Sequence, residues 1–260
     1  PDEKEGICNM DRHTLYETLR TALAAALEEH GLTGSAVTIH ARGLTPEEAI
    51  GHTQRTDYPI LTGKEVMLMA DFRGAKGQAF TDAPARFEGA LEQVLALDLE
   101  GDPHSRGLFI AALNAVMKYL GRADNTVHCR DGGPEFCARH MAQWVEETYG
   151  APKIALVGFQ PALIAALSRR FSVKVLDLNP DNIGKVKDGC PVLDGVADRR
   201  EAVDWADLVL CTGSTLCNGT IVDYLDLDKE VVFFGTTLAG AAPILGVKRA
   251  CFADRSLEEA

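Results

Sequence analysis

The stretch that decides the fold is Lys153-Ile154-Ala155-Leu156-Val157-Gly158-Phe159, followed by Pro161 through Arg170 and then by Val173-Lys174-Val175-Leu176-Asp177. Its first and last parts are the short apolar runs that a strand buried on both faces needs. The segment between them opens with proline, which suits the first turn of a helix. Strand, helix, strand is a β-α-β unit, and that unit implies parallel strands. After an irregular stretch punctuated by Gly and Pro, the alternation resumes. A strand at Asp207 to Cys211 leads to a helix from about Thr220, then to the strand Val231-Val232-Phe233-Phe234, a turn ending in Pro243 and a last strand near Val247 to Phe252. Residues 151–260 are therefore expected to form a Rossmann-like parallel sheet with ligands at its carboxyl edge.

The upstream half reads differently. Leu15, Leu19, Ala22, Ala26 and Leu27 recur at helical spacing and His30-Gly31 supplies a stop, so a long amphipathic helix opens it. Val37-Thr38-Ile39-His40 and Glu65 to Phe72 read as strands, and helices are expected from Pro84 to about Leu97 and from about His104 to Leu120. Residues 1–150 thus form an α+β unit, bounded at Thr148-Tyr149-Gly150-Ala151-Pro152, where Gly and Pro end a helix.

Composition narrows the function. The 38 acidic residues outnumber the 26 Lys and Arg, a formal charge of −12, and the basic pairs Arg169-Arg170 and Arg199-Arg200 are isolated, so nucleic acid is not an expected partner. No apolar run reaches the roughly 18 residues of a membrane span, and Pro1-Asp2-Glu3-Lys4-Glu5 lacks the pattern of a secretion signal. A cytoplasmic protein is expected, with no membrane partner. Seven cysteines, at 8, 129, 137, 190, 211, 217 and 251, form an odd, scattered set that suits reduced thiols. A homo-oligomer is compatible with all of this.

The richest run of polar groups is Thr212-Gly213-Ser214-Thr215-Leu216-Cys217-Asn218-Gly219-Thr220, directly after the strand ending at Cys211. Helix capping explains one or two such residues, not the whole run, so Thr212, Gly213, Ser214, Thr215, Asn218, Gly219 and Thr220 are expected to contact a ligand. Gly235 and Thr236, after the next strand, would extend the rim. At the first strand's end, Gly158-Phe159-Gln160-Pro161 lacks the second and third glycines of the dinucleotide fingerprint, so ordinary NAD is not expected. Asp177 follows Gly158 at the spacing of a ribose-contacting acid; with Asn179 it either touches ligand or makes an Asx turn before Pro180. Helix N-termini at Pro161 and near Thr220 favour an anionic ligand.

Two more segments carry candidate chemistry. His128-Cys129-Arg130-Asp131-Gly132-Gly133-Pro134-Glu135-Phe136-Cys137-Ala138-Arg139-His140 offers Cys129, Cys137 and His140 as metal ligands, although the spacing matches no standard zinc knuckle and Cys137 also fits an apolar helical stripe with Met141, Trp144, Val145 and Thr148. Glu135 either complements a helix dipole or serves as a base or metal ligand. Arg73-Gly74-Ala75-Lys76-Gly77-Gln78-Ala79-Phe80-Thr81-Asp82 reads as a glycine-spaced loop in which Arg73 or Lys76 meets an anion.

The motif from Thr212 to Thr220, preceded by Trp205-Ala206-Asp207 and combined with Asp177-Leu178-Asn179-Pro180, resembles the C-terminal domain of the putative heavy-metal chelation family; Leu113-Asn114-Ala115 and Lys76 to Asp82 look like its N-terminal motifs. The resemblance implies an enolase N-terminal-like domain followed by a Rossmann-like one, with a site in the cleft between them that handles a metal ion or metal chelate. The alternative is an enzyme acting on a nucleotide-like or other anionic metabolite, with Glu135 or Lys76 moving protons. No catalytic residue can be assigned from spacing.

Overall fold

The computed structural model describes residues 10–33, 38–63 and 65–253; Cys8, Val37 and the acidic start at Pro1 to Glu5 lie outside them. The chain opens with α1 (Arg12–Glu29), whose first turn is capped by the Asp11 carboxylate and whose face of Leu15, Leu19, Leu23 and Leu27 is fully buried. There follow β1 (Thr38–Gly43), α2 (Pro46–Ile50), a 3-10 turn at Pro59–Thr62, β2 (Val66–Phe72), β3 (Ala75–Thr81), β4 (Phe87–Ala90), α3 (Leu91–Leu95), α4 (Pro103–Tyr119) and α5 (Gly133–Tyr149). The remainder is β5 (Ile154–Val157), α6 (Pro161–Leu167), β6 (Val173–Asp177), β7 (Val186–Lys187), β8 (Cys190–Asp194), α7 (Arg199–Trp205), β9 (Leu208–Thr212), α8 (Thr215–Asn218), α9 (Val222–Leu225), β10 (Glu230–Phe234), α10 (Ala241–Leu245) and β11 (Arg249–Ala250).

The strands make two sheets, one antiparallel in the order β3-β2-β1-β4, the other mostly parallel in the order β11-β10-β9-β5-β6-β8-β7. This is the mixed α/β class expected. In the larger sheet the chain runs outward from β5 through β6 to β8, then returns to β9 on the other side of β5. Strand order therefore reverses between β5 and β9, where a doubly wound sheet opens a crevice at the carboxyl ends of its strands.

Alternation along the strands explains their double burial. Ile154 and Leu156 of β5 join Val175, Leu208, Leu210 and Val232 against α5 and α6, while Ala155 and Val157 point to the other face with Val209, Cys211 and Phe233. That second face continues into the core of the antiparallel sheet through α4, in which every residue from Gly107 to Met117 is buried. Gly77 of β3 is what lets α4 come so close, since a Cβ there would sit 2.2 Å from Ala115 N.

Several expectations are corrected. The loop from Arg73 to Asp82 is a hairpin: β2 and β3 pair from Val66↔Thr81 to Phe72↔Ala75 across the two-residue turn Arg73-Gly74, both with positive φ (52° and 85°). Arg73 stacks on Phe72 and Tyr119 and Lys76 is exposed on the strand, so neither faces an anion site. The helix expected from Pro84 begins only at Leu91, because Phe87 to Ala90 pair with β1 (Thr38↔Ala90, Ala41↔Phe87) and tertiary pairing overrides local propensity. The stretch between Leu178 and Ala206 is irregular only in part, for it contains the hairpin of β7 and β8 and then α7.

Between the sheets sits Asn114, fully buried at the middle of α4. Its Nδ2 donates to the carbonyls of Gln78 (2.8 Å), Thr237 (3.0 Å) and Thr236 (3.3 Å), and its Oδ1 accepts from Gly240 N (2.6 Å). Replacing Asn114 by Ala strands these backbone groups out of reach of water, at about 1–3 kcal/mol for each that stays unpaired. Asn114→Ala is expected to lower unfolding free energy by about 3 kcal/mol or more, read as a lower urea midpoint at unchanged slope. A loss below about 1 kcal/mol would show that the carboxamide does not fasten these elements.

Candidate functional site

A cleft of about 450 Å³ opens at the carboxyl ends of β5, β6, β8 and β9, within the size range of small-molecule sites. One wall consists of Gly158 and Phe159 after β5, Asp177, Leu178 and Asn179 after β6, Gly195 and Val196 after β8, and Thr212, Ser214, Thr215, Asn218 and Thr220 after β9. The facing wall comes from the antiparallel sheet: Glu65 at the start of β2, Phe80, Thr81 and Asp82 at the end of β3, and Pro59. Polar turns far apart in sequence therefore converge on one cavity. Glu65, Asp82, Arg199 and Asp223 also line it and carry no mark in the primary sequence, except that Asp82 ends the segment Lys76 to Asp82.

Local folding explains why these groups meet. β5 and β9 pair in register with Val157 opposite Cys211, which puts Gly158 beside Thr212. Gly158 has φ +99°, and a Cβ on it would lie 2.7 Å from the Thr212 methyl, so only glycine suits this close crossing. Asp177 makes the Asx turn: its Oδ1 accepts from Leu178 N (2.8 Å), its Oδ2 from Asn182 Nδ2 (2.6 Å), and Asn179 Oδ1 accepts from Asp181 N (3.0 Å). Asn218 Oδ1 accepts from both Thr220 N (2.9 Å) and Thr220 Oγ1 (2.7 Å), while Thr215 Oγ1 donates to the Thr212 carbonyl (2.7 Å). Much of the loop's polarity thus holds the loop itself. The Thr212 and Ser214 hydroxyls meet at 3.0 Å on the cleft wall.

The other expected contacts lie elsewhere. Gly213 is packed beneath Leu238, and Gly219 is the left-handed cap of α8, set against Arg12 and Tyr16. Gly235 and Thr236 line a second, smaller cavity instead of the cleft, because the turn after β10 tucks under β3, where Thr237 Oγ1 accepts from Phe80 N (3.0 Å). At α6 the Gln160 side chain accepts from Leu163 N (2.8 Å), so the chain's own carboxamide occupies the helix N-terminus proposed for an anion.

The electrostatics also run against an anion. Among the described residues, four carboxylates, from Glu65, Asp82, Asp177 and Asp223, line the cleft against one guanidinium, that of Arg199, which is paired with Asp223. Burial first, then the negative charges of Asp177 and Asp82, push the Glu65 carboxyl up to about 7. Burial likewise pushes the thiols of Cys211 and Cys217 up to about 12, so both stay protonated at neutral pH.

Of the expected metal ligands, Cys129 and Cys137 come together, Sγ to Sγ at 3.5 Å, on the wall of the second cavity. The His140 ring instead stacks on Phe136, centroids 4.2 Å apart. Among the described residues no three His, Cys, Asp or Glu side chains converge as a group able to hold a metal ion, so neither the cleft nor the expected trio fits a resident bare ion. Nor, among these residues, is any helix long and apolar enough to cross a membrane.

Fold and cleft together define an α/β protein with a cleft at the strand-order reversal of a mostly parallel sheet, walled on the other side by an antiparallel one. Residues 143–246 match the DUF364 family, described as putative heavy-metal chelation, which is the resemblance the sequence motifs implied. Similar solved structures include a protein with unknown function of that family from Pyrococcus horikoshii (14% identity, 86% of this chain and 79% of that chain, TM-score 0.47). Another, also with unknown function, is from Desulfitobacterium hafniense DCB-2 (13% identity, 69% and 72% covered, TM-score 0.47). No protein of curated function matches significantly.

Glu65 gives the cleft a pH signature. Its pKa rises from 4.5 to about 7 on folding, so its contribution to stability is complete below the unfolded value and is lost as pH rises through the folded one. The chain is expected to lose stability across that window, by about 1.4 kcal/mol per pK unit as an upper bound, and Glu65→Gln to remove that part of the slope. Denaturation midpoints measured at several pH values decide this. A Glu65→Gln variant that is not relatively stabilised at pH about 8 would contradict the assignment.

Proposed function

We propose that the chain binds a small cationic metal complex as cargo in the cleft between its two sheets. The carrying observation is the charge of the lining, which among the described residues is four carboxylates against one paired guanidinium, in a cavity of about 450 Å³. A site that size exceeds a bare ion, and without a convergent three-donor set it would recognise the outside of a complex through carboxylates and hydroxyls rather than ligate its metal directly. The family description, putative heavy-metal chelation, supports a metal-handling role. In this reading residues 1–150 and 151–260 are two domains contributing one wall each.

A second reading is an enzyme using Glu65 as a proton donor or acceptor, favoured by a carboxyl that titrates near 7 on the cleft wall. The acidic lining disfavours the anionic metabolites considered from sequence, leaving neutral or cationic substrates for such an enzyme.

Hexaamminecobalt(III), an inert trivalent complex that binds only through its outer sphere, tests the first reading by calorimetry at low salt. One site per chain is expected, with affinity lowered roughly three- to tenfold in Asp82→Asn and in Asp177→Asn. Inorganic phosphate and adenosine monophosphate should not compete. Equal affinity in both variants, or displacement by the phosphates, would remove the proposal.

A further inference from the structure

The cysteines differ in their surroundings. Among the described residues Cys190, Cys211 and Cys217 are buried, whereas Cys129, Cys137 and Cys251 are partly exposed, and these three share the wall of the second cavity, of about 70 Å³. Two of them touch. The Cys137 thiol donates to Cys129 Sγ at 3.5 Å, and both are free thiols. A buried cysteine acts as a small apolar side chain, but two thiols that solvent reaches and that meet each other have further chemistry open to them.

The backbone on both sides of this pair is anchored. Cys129 lies in the segment before α5, where His128 N donates to Gln78 Oε1 (2.7 Å). Two residues beyond it, Asp131 N donates to the Ile50 carbonyl (2.7 Å) and Asp131 Oδ1 accepts from His52 N (2.9 Å). Asp131 is held there at φ +58°, a conformation that a residue with a side chain keeps only when its surroundings fix it. Cys137 lies on the second turn of α5, whose Ala138, Met141, Ala142 and Val145 are buried in one core with β5 and α6. With both backbones set, the two sulfurs need only side-chain rotation and a shift of about 1.5 Å to reach bonding distance. Such placement gives each thiol an effective concentration toward the other far above that of a free monothiol. The Cys137 hydrogen bond, then burial, hold the Cys129 thiol well above its ordinary pKa. That slows exchange, and it also denies the reduced pair the thiolate stabilisation by which some dithiols resist oxidation.

We propose that Cys129 and Cys137 form a reversible modification site, a dithiol that small-molecule disulfides convert to an intramolecular disulfide. One sulfur of the pair attacks a sulfur of the reagent, which forms a mixed disulfide and releases the first reagent thiol. The other sulfur of the pair then attacks the first, closing the bond between Cys129 and Cys137 and releasing the second reagent thiol. Two S–H bonds and one S–S bond break while one S–S bond and two S–H bonds form, so the chain loses two electrons and two protons and the reagent gains them. The new bond closes the short loop between positions 129 and 137, which restricts the unfolded chain more than the folded one. The site is independent of the cleft and of its cargo.

The test is equilibration of the reduced full-length protein with oxidised and reduced glutathione at a series of ratios, followed by acid quenching and peptide mass mapping. Expected is a cross-link between Cys129 and Cys137 with no glutathione at either position, fully reversed by excess dithiothreitol. Because two glutathione molecules leave, its midpoint should follow the square of the reduced concentration over the oxidised one. Cross-linking should raise the melting temperature by about 2 °C or more, a shift that Cys137→Ser treated alike lacks. Cys129→Ser and Cys137→Ser should each stop at a mixed disulfide on the remaining sulfur, and Cys251→Ser should cross-link as the parent does. The proposal is overturned if the parent keeps both thiols at equilibrium with oxidised glutathione alone, if Cys251 replaces either partner in the cross-link, or if glutathione stays bound at Cys129 or Cys137 of the parent.

Discussion

One carboxamide holds the two sheets in register. Asn114 reaches from the centre of α4 to a carbonyl of β3 on one side and to the turn after β10 on the other, using both ends of its side chain. β3 is an edge strand, and its outward groups would otherwise be unpaired. They are taken up in succession: Gln78 N donates to the Thr126 carbonyl (2.9 Å), Phe80 N to Thr237 Oγ1 (3.0 Å), and Thr126 Oγ1 donates to the Lys76 carbonyl (2.7 Å). Because Phe80, Thr81 and Asp82 at the end of that strand form a wall of the cleft, the backbone accounting that satisfies β3 also sets the distance between the cleft's two sides.

This dependence explains what was legible in the sequence. β5, β6, β9 and β10 could be read because a strand buried on both faces must be apolar throughout, whatever else surrounds it. With the strand order implied, Gly158, Asp177, Asn179, Thr212 and Asn218 could be placed on a common edge from the sequence alone. The opposite wall could not. Glu65 and Asp82 face the cleft only because α4 docks β2 and β3 where it does, and nothing local to either residue encodes that. β3 itself was hidden by its glycines and by Lys76, which read as a loop until Gly77 is seen to lie against the backbone of α4. β4 was hidden because Leu91 and Val94 continue a helical spacing that Phe87 and Gly89 do not obey.

The rim residues show a second limit of composition. A run dense in Thr, Ser and Asn signals hydrogen bonding but not its direction, and from Thr212 to Thr220 several of these groups turn inward to fold the turn itself. Gly235 and Thr236 fail as rim residues for a topological reason: β10 lies two strands from β5, away from the reversal of strand order, and the turn after it is recruited by Asn114 and β3. The inference to an anion fails for an electrostatic one. Short helices whose first amides are capped by their own side chains present little positive end, and the acids supplied by the other sheet outweigh it.

The two cavities are chemically unlike yet mechanically joined. The turn Gly158-Phe159-Gln160 gives its first two residues to the acidic cleft and Gln160 to the thiol-lined cavity, while also capping α6. Phe80, on the cleft's far wall, packs edge-on against His128 of the second cavity, centroids 5.4 Å apart. Close-packed interiors do not deform in one place only, so a shift of this turn or this ring is felt on both sides. The same adjacency separates hard from soft chemistry: carboxylates and hydroxyls gather where the parallel strands end, and the sulfurs of Cys129, Cys137 and Cys251 gather in the second cavity, beside α5 and the turn after β10.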